Sequence, residues 1–172
     1  MKPIGIVIMA VCVSLATTEA FAQKATSDYD RAVDFAKFRS YKWERGQSAP
    51  NPLVDKRIVA AIDTQLESKG WTKTGAEPSA VVVYYAAIDA EKQLNAWGTG
   101  PRWRGMGTVT VDTIYTGQLV VDVYDAATRQ LIWRGTVSDT VSDRPEKNEK
   151  RLNEAVARLF KQFPPGRSAQ TR

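Results

Sequence analysis

The chain has no histidine and a single cysteine among its 172 residues. The missing histidine removes the usual general base of nucleophilic catalysis and the commonest metal ligand. The lone cysteine, Cys12, rules out an internal disulfide framework and a zinc site of the Cys/His type. Long apolar runs are also scarce. The longest spans Ile4 to Ala16, short of the roughly 20 apolar residues that a membrane-crossing helix needs. Charge of one sign is not in large excess: 24 Lys+Arg against 19 Asp+Glu leave a net charge of +5. That balance gives no basic patch of the kind nucleic acids select, so no nucleic-acid role is expected.

What is present begins with the layout of a secretory signal peptide. Met1-Lys2-Pro3 gives a short positive start and Ile4–Ala16 an apolar core. Ala20-Phe21-Ala22 before Gln23 gives a small-x-small cleavage site. The sequence predicts a signal peptide over 1–22, cut between Ala22 and Gln23, with no transmembrane segment after cleavage. The rival fates are a retained anchor and lipidation. Lipidation at Cys12 is not expected, because Val11 is not the small residue a lipobox requires and Cys12 lies inside the apolar run, where it packs as a small hydrophobe. Cleavage removes one base, Lys2, one acid, Glu19, and the only cysteine, so the exported chain keeps its charge of +5.

Residues 23–165 read as one α+β domain, and 166–172 as a flexible basic tail. Strands are expected near 25–30 and 39–44, where Tyr41 and Trp43 alternate with polar residues. Asn51-Pro52 opens a helix over about 53–69 by cap and first-turn proline. Val54, Ile58, Ile62 and Leu66 form its apolar stripe, and Asp55 and Asp63 fall among the charges on its other side. Gly70 ends it and Trp71 folds back onto its last turn.

Strands follow at 80–88, at 108–115 and over Leu119–Tyr124, the last making a hairpin with 131–137 through a loop of about three to five residues. In that hairpin Asp122 lies opposite Arg134 on the outer face. Asp143-Arg144-Pro145-Glu146 opens a second helix as a capping box, and Pro164-Pro165 stop it. The expected architecture is an antiparallel meander sheet of about five to six strands with the two amphipathic helices packed on one face.

Several of these segments form an ordered set. Tyr29-Asp30 with Phe35, Phe38-Arg39-Ser40-Tyr41-Lys42-Trp43, Leu66-Glu67-Ser68-Lys69-Gly70-Trp71 and Pro78–Tyr85 come first. The Trp/Gly-rich stretch around 97–107, Gly117–Asp125, Leu131–Gly135 and Phe163-Pro164-Pro165 complete it. Over residues 28–165 the chain resembles the domain of unknown function family 4136, bacterial envelope proteins that are often lipoproteins. The resemblance implies a periplasmic or outer-membrane-associated α+β domain. It implies no established activity, cofactor or catalytic residue, and the chain departs from lipidated members in lacking a lipobox.

Residues 91–107 are the stretch that core formation does not explain. Gly98, Gly100, Pro101, Gly105 and Gly107 argue for a loop, and a loop of that length inside a compact domain is usually functional or disordered. Trp97 and Trp103 offer flat apolar faces with one donor each, while Arg102 and Arg104 offer forks for phosphate or carboxylate. These four are the candidate surface contacts, for an envelope protein, a glycan or a lipid surface. The alternative is a lid in which the tryptophans fold over the sheet edge.

No catalytic residue, metal site or cofactor is expected. A glycan-cleaving enzyme would need two carboxylates across a cleft, and Asp89, Glu91, Asp112 and Asp122 stand at no telling spacing. The sequence therefore predicts an exported protein of the periplasm or outer-membrane periphery, a binding or accessory module and not an enzyme. A carboxylate-dependent glycan enzyme and a structural assembly factor are the alternatives.

Overall fold

Alternating apolar residues, two capped helices and a set of aromatics build one sheet with a helical layer on one side. The computed structural model describes residues 25–97 and 108–165. The signal segment with Cys12, Ala22 and Gln23, the tail 166–172, and Arg102, Trp103 and Arg104 lie outside the described residues.

The strands are β1 (Ala25–Tyr29), β2 (Ser40–Trp43), β3 (Thr72–Lys73), β4 (Ala80–Trp97), β5 (Thr108–Asp125) and β6 (Leu131–Val141). The helices are α1 (Pro52–Ser68) and α2 (Pro145–Leu159), with short 3-10 turns at Phe35–Lys37 and Phe160–Gln162. The sheet order is β1-β6-β5-β4-β2-β3. β1, β6, β5 and β4 pair antiparallel, but β2 runs parallel to both β4 and β3. The expected all-antiparallel meander is thus corrected to a mixed sheet. The cause is the return through α1, which brings the chain back to the starting end of β2, so β3 and then β4 lie parallel on its two sides and neither forms a hairpin with it.

The helix ends show how local chemistry sets the elements. Asn51 caps α1, its side-chain oxygen accepting from the Leu53 N–H at 2.8 Å, and Pro52 takes the first turn. Gly70 adopts φ +78°, the left-handed conformation that closes a helix, and the Trp71 N–H donates back to the Leu66 carbonyl at 3.0 Å. At α2 the expected capping box does not form. The N-cap is Arg144, without a side-chain cap. Asn148 instead reaches back to Ser142, accepting from its N–H and donating to its carbonyl, each at 2.7 Å.

Ala80, Val82, Tyr84 and Ala86 of β4 and Leu119, Val121 and Val123 of β5 meet Ile58, Ile62 and Leu66 of α1 and Ala155, Val156 and Leu159 of α2 in the core. Both helices therefore cover one face, as the sequence predicts. Its densest part is aromatic: Trp133 and Phe163 lie 5.0 Å apart between ring centroids and Trp71 and Phe163 5.1 Å, in edge-on geometry. A bulge at Val123/Tyr124 shifts the register opposite Leu131–Trp133, and Ile132 and Trp133 are both buried.

Candidate functional site

β4 and β5 are far longer than the sheet around them. They stay in register from Ala80↔Asp125 to Trp97↔Thr108. β6 joins β5 only from Tyr115 onward, and β2 joins β4 only over Ala80–Val82, with Gln47 bridging at Tyr85. Among the described residues, Glu91–Trp97 and Thr108–Ile114 pair only with each other. At about 3.3 Å per residue this two-stranded ribbon runs on for about 23 Å past its neighbours. The loop expected over 91–107 is corrected accordingly: 91–97 is strand, and Trp97 is the last residue of β4.

The two faces of the ribbon differ because side chains alternate. Ile88, Ala90 and Lys92 continue the core-facing row of β4, and Gly117, Tyr115, Thr113 and Val111 continue that of β5. Beyond the helices this row is uncovered: Ile88 is 50%, Tyr115 49% and Val111 55% exposed. The opposite row carries Asp89, Glu91 and Gln93 with Thr110, Asp112, Ile114 and Thr116. At the root of the apolar row a cleft of about 160 Å³ opens between the helices. Val54 and Ile58 of α1, Leu152 and Ala155 of α2, and Leu119 and Val137 of the sheet line it. Ile88 and Gly117 line the cleft and stand in the row that runs on into the ribbon, so the apolar surface is continuous from one to the other.

The polar clusters have structural partners. Asp122 is fully buried. Arg134 grips it with two bonds, Nε to Oδ1 and Nη2 to Oδ2, each 2.6 Å, and the Tyr124 hydroxyl donates at 3.2 Å. The bond to Asp122 holds the Arg134 guanidinium even more firmly charged than usual. Burial, and then the Asp122 charge, pushes the Tyr124 hydroxyl upward. On the helix side, Asp63 accepts from the Tyr41 hydroxyl at 2.6 Å, the Trp43 indole at 2.8 Å and Lys73 at 3.0 Å. Asp55 accepts from the Tyr84 hydroxyl and from the Ala49 N–H. Burial first and Asp55 second push Tyr84 up to about 12, and burial with Asp63 raises Tyr41 further. Sequence reasoning left Asp55 and Asp63 on the outer side of α1. The only hint of their role lay in Tyr41 and Tyr84, hydroxyl-bearing residues at core positions that needed acceptors.

Asp89, Glu91, Asp112 and Asp122 all stand on the sheet face away from the helices. The first three are exposed along the ribbon and its root, and Asp122 is locked to Arg134. They share one surface and do not oppose each other across a cleft. Of the four candidate contacts, the structure places only Trp97, paired in register with Thr108.

The model of a family described as a domain of unknown function (DUF4136) matches residues 25–165. No curated protein matches the chain. A PDZ domain protein from Parabacteroides distasonis is similar in structure, with a TM-score of 0.59 at 14% identity, over 85% of this chain and 36% of that one. The chain therefore spans about a third of that protein. The PelC dodecamer from Paraburkholderia phytofirmans is similar with a TM-score of 0.51 at 11% identity, over 80% of this chain and 94% of that one. At such identities the likeness is one of fold.

Proposed function

The chain belongs to the DUF4136 family, a domain of unknown function, and from its geometry we propose that it is an exported cell-envelope protein, a non-catalytic binding or accessory module whose contact element is the β4–β5 ribbon. The observation that carries this reading is the uncovered apolar row that runs from Ile88 and Tyr115, at the root, to Val111 on a ribbon that outruns the rest of the sheet. A two-stranded ribbon is marginal in water by itself, and an exposed apolar row rimmed by polar residues marks an interaction surface. Trp97 ends β4, Arg102, Trp103 and Arg104 follow it in sequence, and these four residue types suit aromatic and guanidinium contacts to a partner. Export fits the Ile4–Ala16 run and the Ala22/Gln23 site. Among the described residues no helix is long and apolar enough to cross a membrane.

The glycan-enzyme alternative finds less support, since its four carboxylates share one sheet surface. The assembly-factor alternative draws on the fold likeness to PelC, a protein that forms a dodecamer.

The test is retention of envelope components by immobilised protein. The wild-type chain is expected to hold a partner that Trp97→Ala with Arg102→Ala, Trp103→Ala and Arg104→Ala releases. Equal retention by both would overturn the role of the ribbon's end, and turnover of peptidoglycan fragments by the pure protein would overturn the non-catalytic reading.

A further inference from the structure

We propose that the cleft between the two helices binds a single aliphatic chain ending in a carboxylate, with Arg151 as the partner of the head group. The site lies at the root of the ribbon and takes a small ligand, not a macromolecular partner.

The cleft is open because four of its positions carry little or no side chain. They are Ala49 before α1, Ala86 of β4, Gly117 of β5 and Ala155 of α2. Its floor and walls are aliphatic, from Val54, Ile58, Leu119, Val137 and Leu152, and none of the described residues that line it is aromatic. Its volume of about 160 Å³ is close to that of an engineered apolar cavity of roughly 150 Å³ that stays dry and takes up benzene. A stretch of about six carbons therefore fits inside. A longer chain runs on past Ile88, which lines the cleft and stands half exposed on the row beyond it.

The polar groups at the rim decide which apolar ligand fits. Asn148 is engaged with Ser142 through both its oxygen and its amide nitrogen. Each acid that lines the cleft is matched to another arginine. Glu149 pairs with Arg57 at 3.3 Å, and Asp139 with Arg158 at 3.7 Å. Arg151 differs. It lines the cleft and its Nη1 donates to the Thr140 carbonyl at 2.8 Å, yet among the described residues no carboxylate pairs with it. The bond to Thr140 holds the guanidinium at the rim and leaves Nε and Nη2 for a ligand. Those two form the fork that meets a carboxylate with parallel hydrogen bonds. The cleft thus joins an aliphatic slot to one cation without an acid, which complements an anionic head on an apolar chain. A polar ligand such as a sugar would bury hydroxyls against aliphatic walls with no partners for them.

Calorimetric titration of the protein with hexanoate, octanoate and decanoate, each below its micelle concentration, provides the test. Octanoate should bind roughly tenfold more tightly than hexanoate, for two more buried methylenes, and decanoate more tightly still. Arg151→Gln should weaken octanoate by about tenfold, by loss of a hydrogen-bonded charge, and leave the binding of octan-1-ol unchanged. Ala155→Leu, which fills the cleft, should abolish binding while the thermal midpoint holds or rises. Ala86→Leu is the second filling variant should Ala155→Leu lower that midpoint. No saturable heat with decanoate overturns the proposal, as does an affinity indifferent to chain length or to both filling variants. Octanoate binding unchanged by Arg151→Gln overturns the role of Arg151, and tighter binding of octyl phosphate than of octanoate overturns the carboxylate head. Retention of an envelope partner is measured separately and is left intact by failure of any of these.

Discussion

Asp122 has no exposed surface, and both of its oxygens are taken by Arg134. Removing the cation would strand a buried carboxylate. Arg134→Ala is expected to cost about 3 kcal/mol, toward the low side for a broken buried pair because the arginine is half in water. The shift in urea midpoint at constant slope measures it. The cross-strand position of this pair was legible from hairpin register alone; the burial of Asp122 was not, since no sequence pattern says how closely Arg134 and Tyr124 close over it. Asp55 and Asp63 show the opposite failure. Helical periodicity put them among surface charges, yet each binds a tyrosine hydroxyl from the sheet. Tyr84 titrates at about 12 in the fold against about 10 in an unfolded chain. Between those values the unfolded chain has released a proton that the folded one keeps, so stability falls as pH rises through that window. Alkaline titration of phenolate absorbance should show tyrosines that ionise only above pH 10, together with loss of structure. Asp55→Asn should lower the Tyr84 value, though not fully, because burial is the larger cause. Titration of every tyrosine near 10 with the fold intact would contradict this.

At the scale of elements, the two helices and the strands β1 and β2 follow from caps, stripes and alternation, whereas the two-residue β3, the start of α2 and the full length of β4 and β5 do not. Reading 108–115 and 119–124 as two strands leaves residues 116–118 unassigned between them. The core-side row Val111, Thr113, Tyr115, Gly117, Leu119, Val121, Val123 in fact keeps period two without interruption, which is why β5 is one strand. Residues 91–97 read as one loop with the glycines and Pro101 that follow, since the exposed Glu91, Lys92 and Gln93 carry no apolar alternation. In chains carrying Val111→Glu with Tyr115→Glu, amides of Glu91–Gln93 and Thr110–Ile114 should exchange far faster than those of Val81–Ala86. Equal protection along β4 would contradict a ribbon supported only from outside. Gly135 marks the tightest packing of β6 against α2. A Cβ there would meet the Trp133 ring and lie 2.6 Å from Leu159 Cδ1. Gly135→Ala is expected to cost about 1–3 kcal/mol by overpacking, seen as a lower thermal midpoint, whereas Gly75→Ala meets nothing within 4 Å and serves as the control.

For the whole molecule, the α+β class and the one-sided helix layer were legible because two amphipathic helices and a set of half-buried strands admit few arrangements. The mixed sheet was not, because a helix between two strands only signals a parallel crossover when the strands it joins are neighbours, and β2 and β4 become neighbours through long-range pairing. That topology leaves β4 and β5 at the centre of the sheet, where they are held firmly enough to carry a ribbon outward. We propose that this ribbon is what the protein presents to the envelope. The most direct test removes 91–97 and 108–114 together, which shortens both strands equally and keeps every other pair in register, and measures what the folded, shortened chain still binds. The shortened chain is expected to keep the melting behaviour of the body and to retain no envelope partner. Unchanged binding by that shortened chain would contradict it.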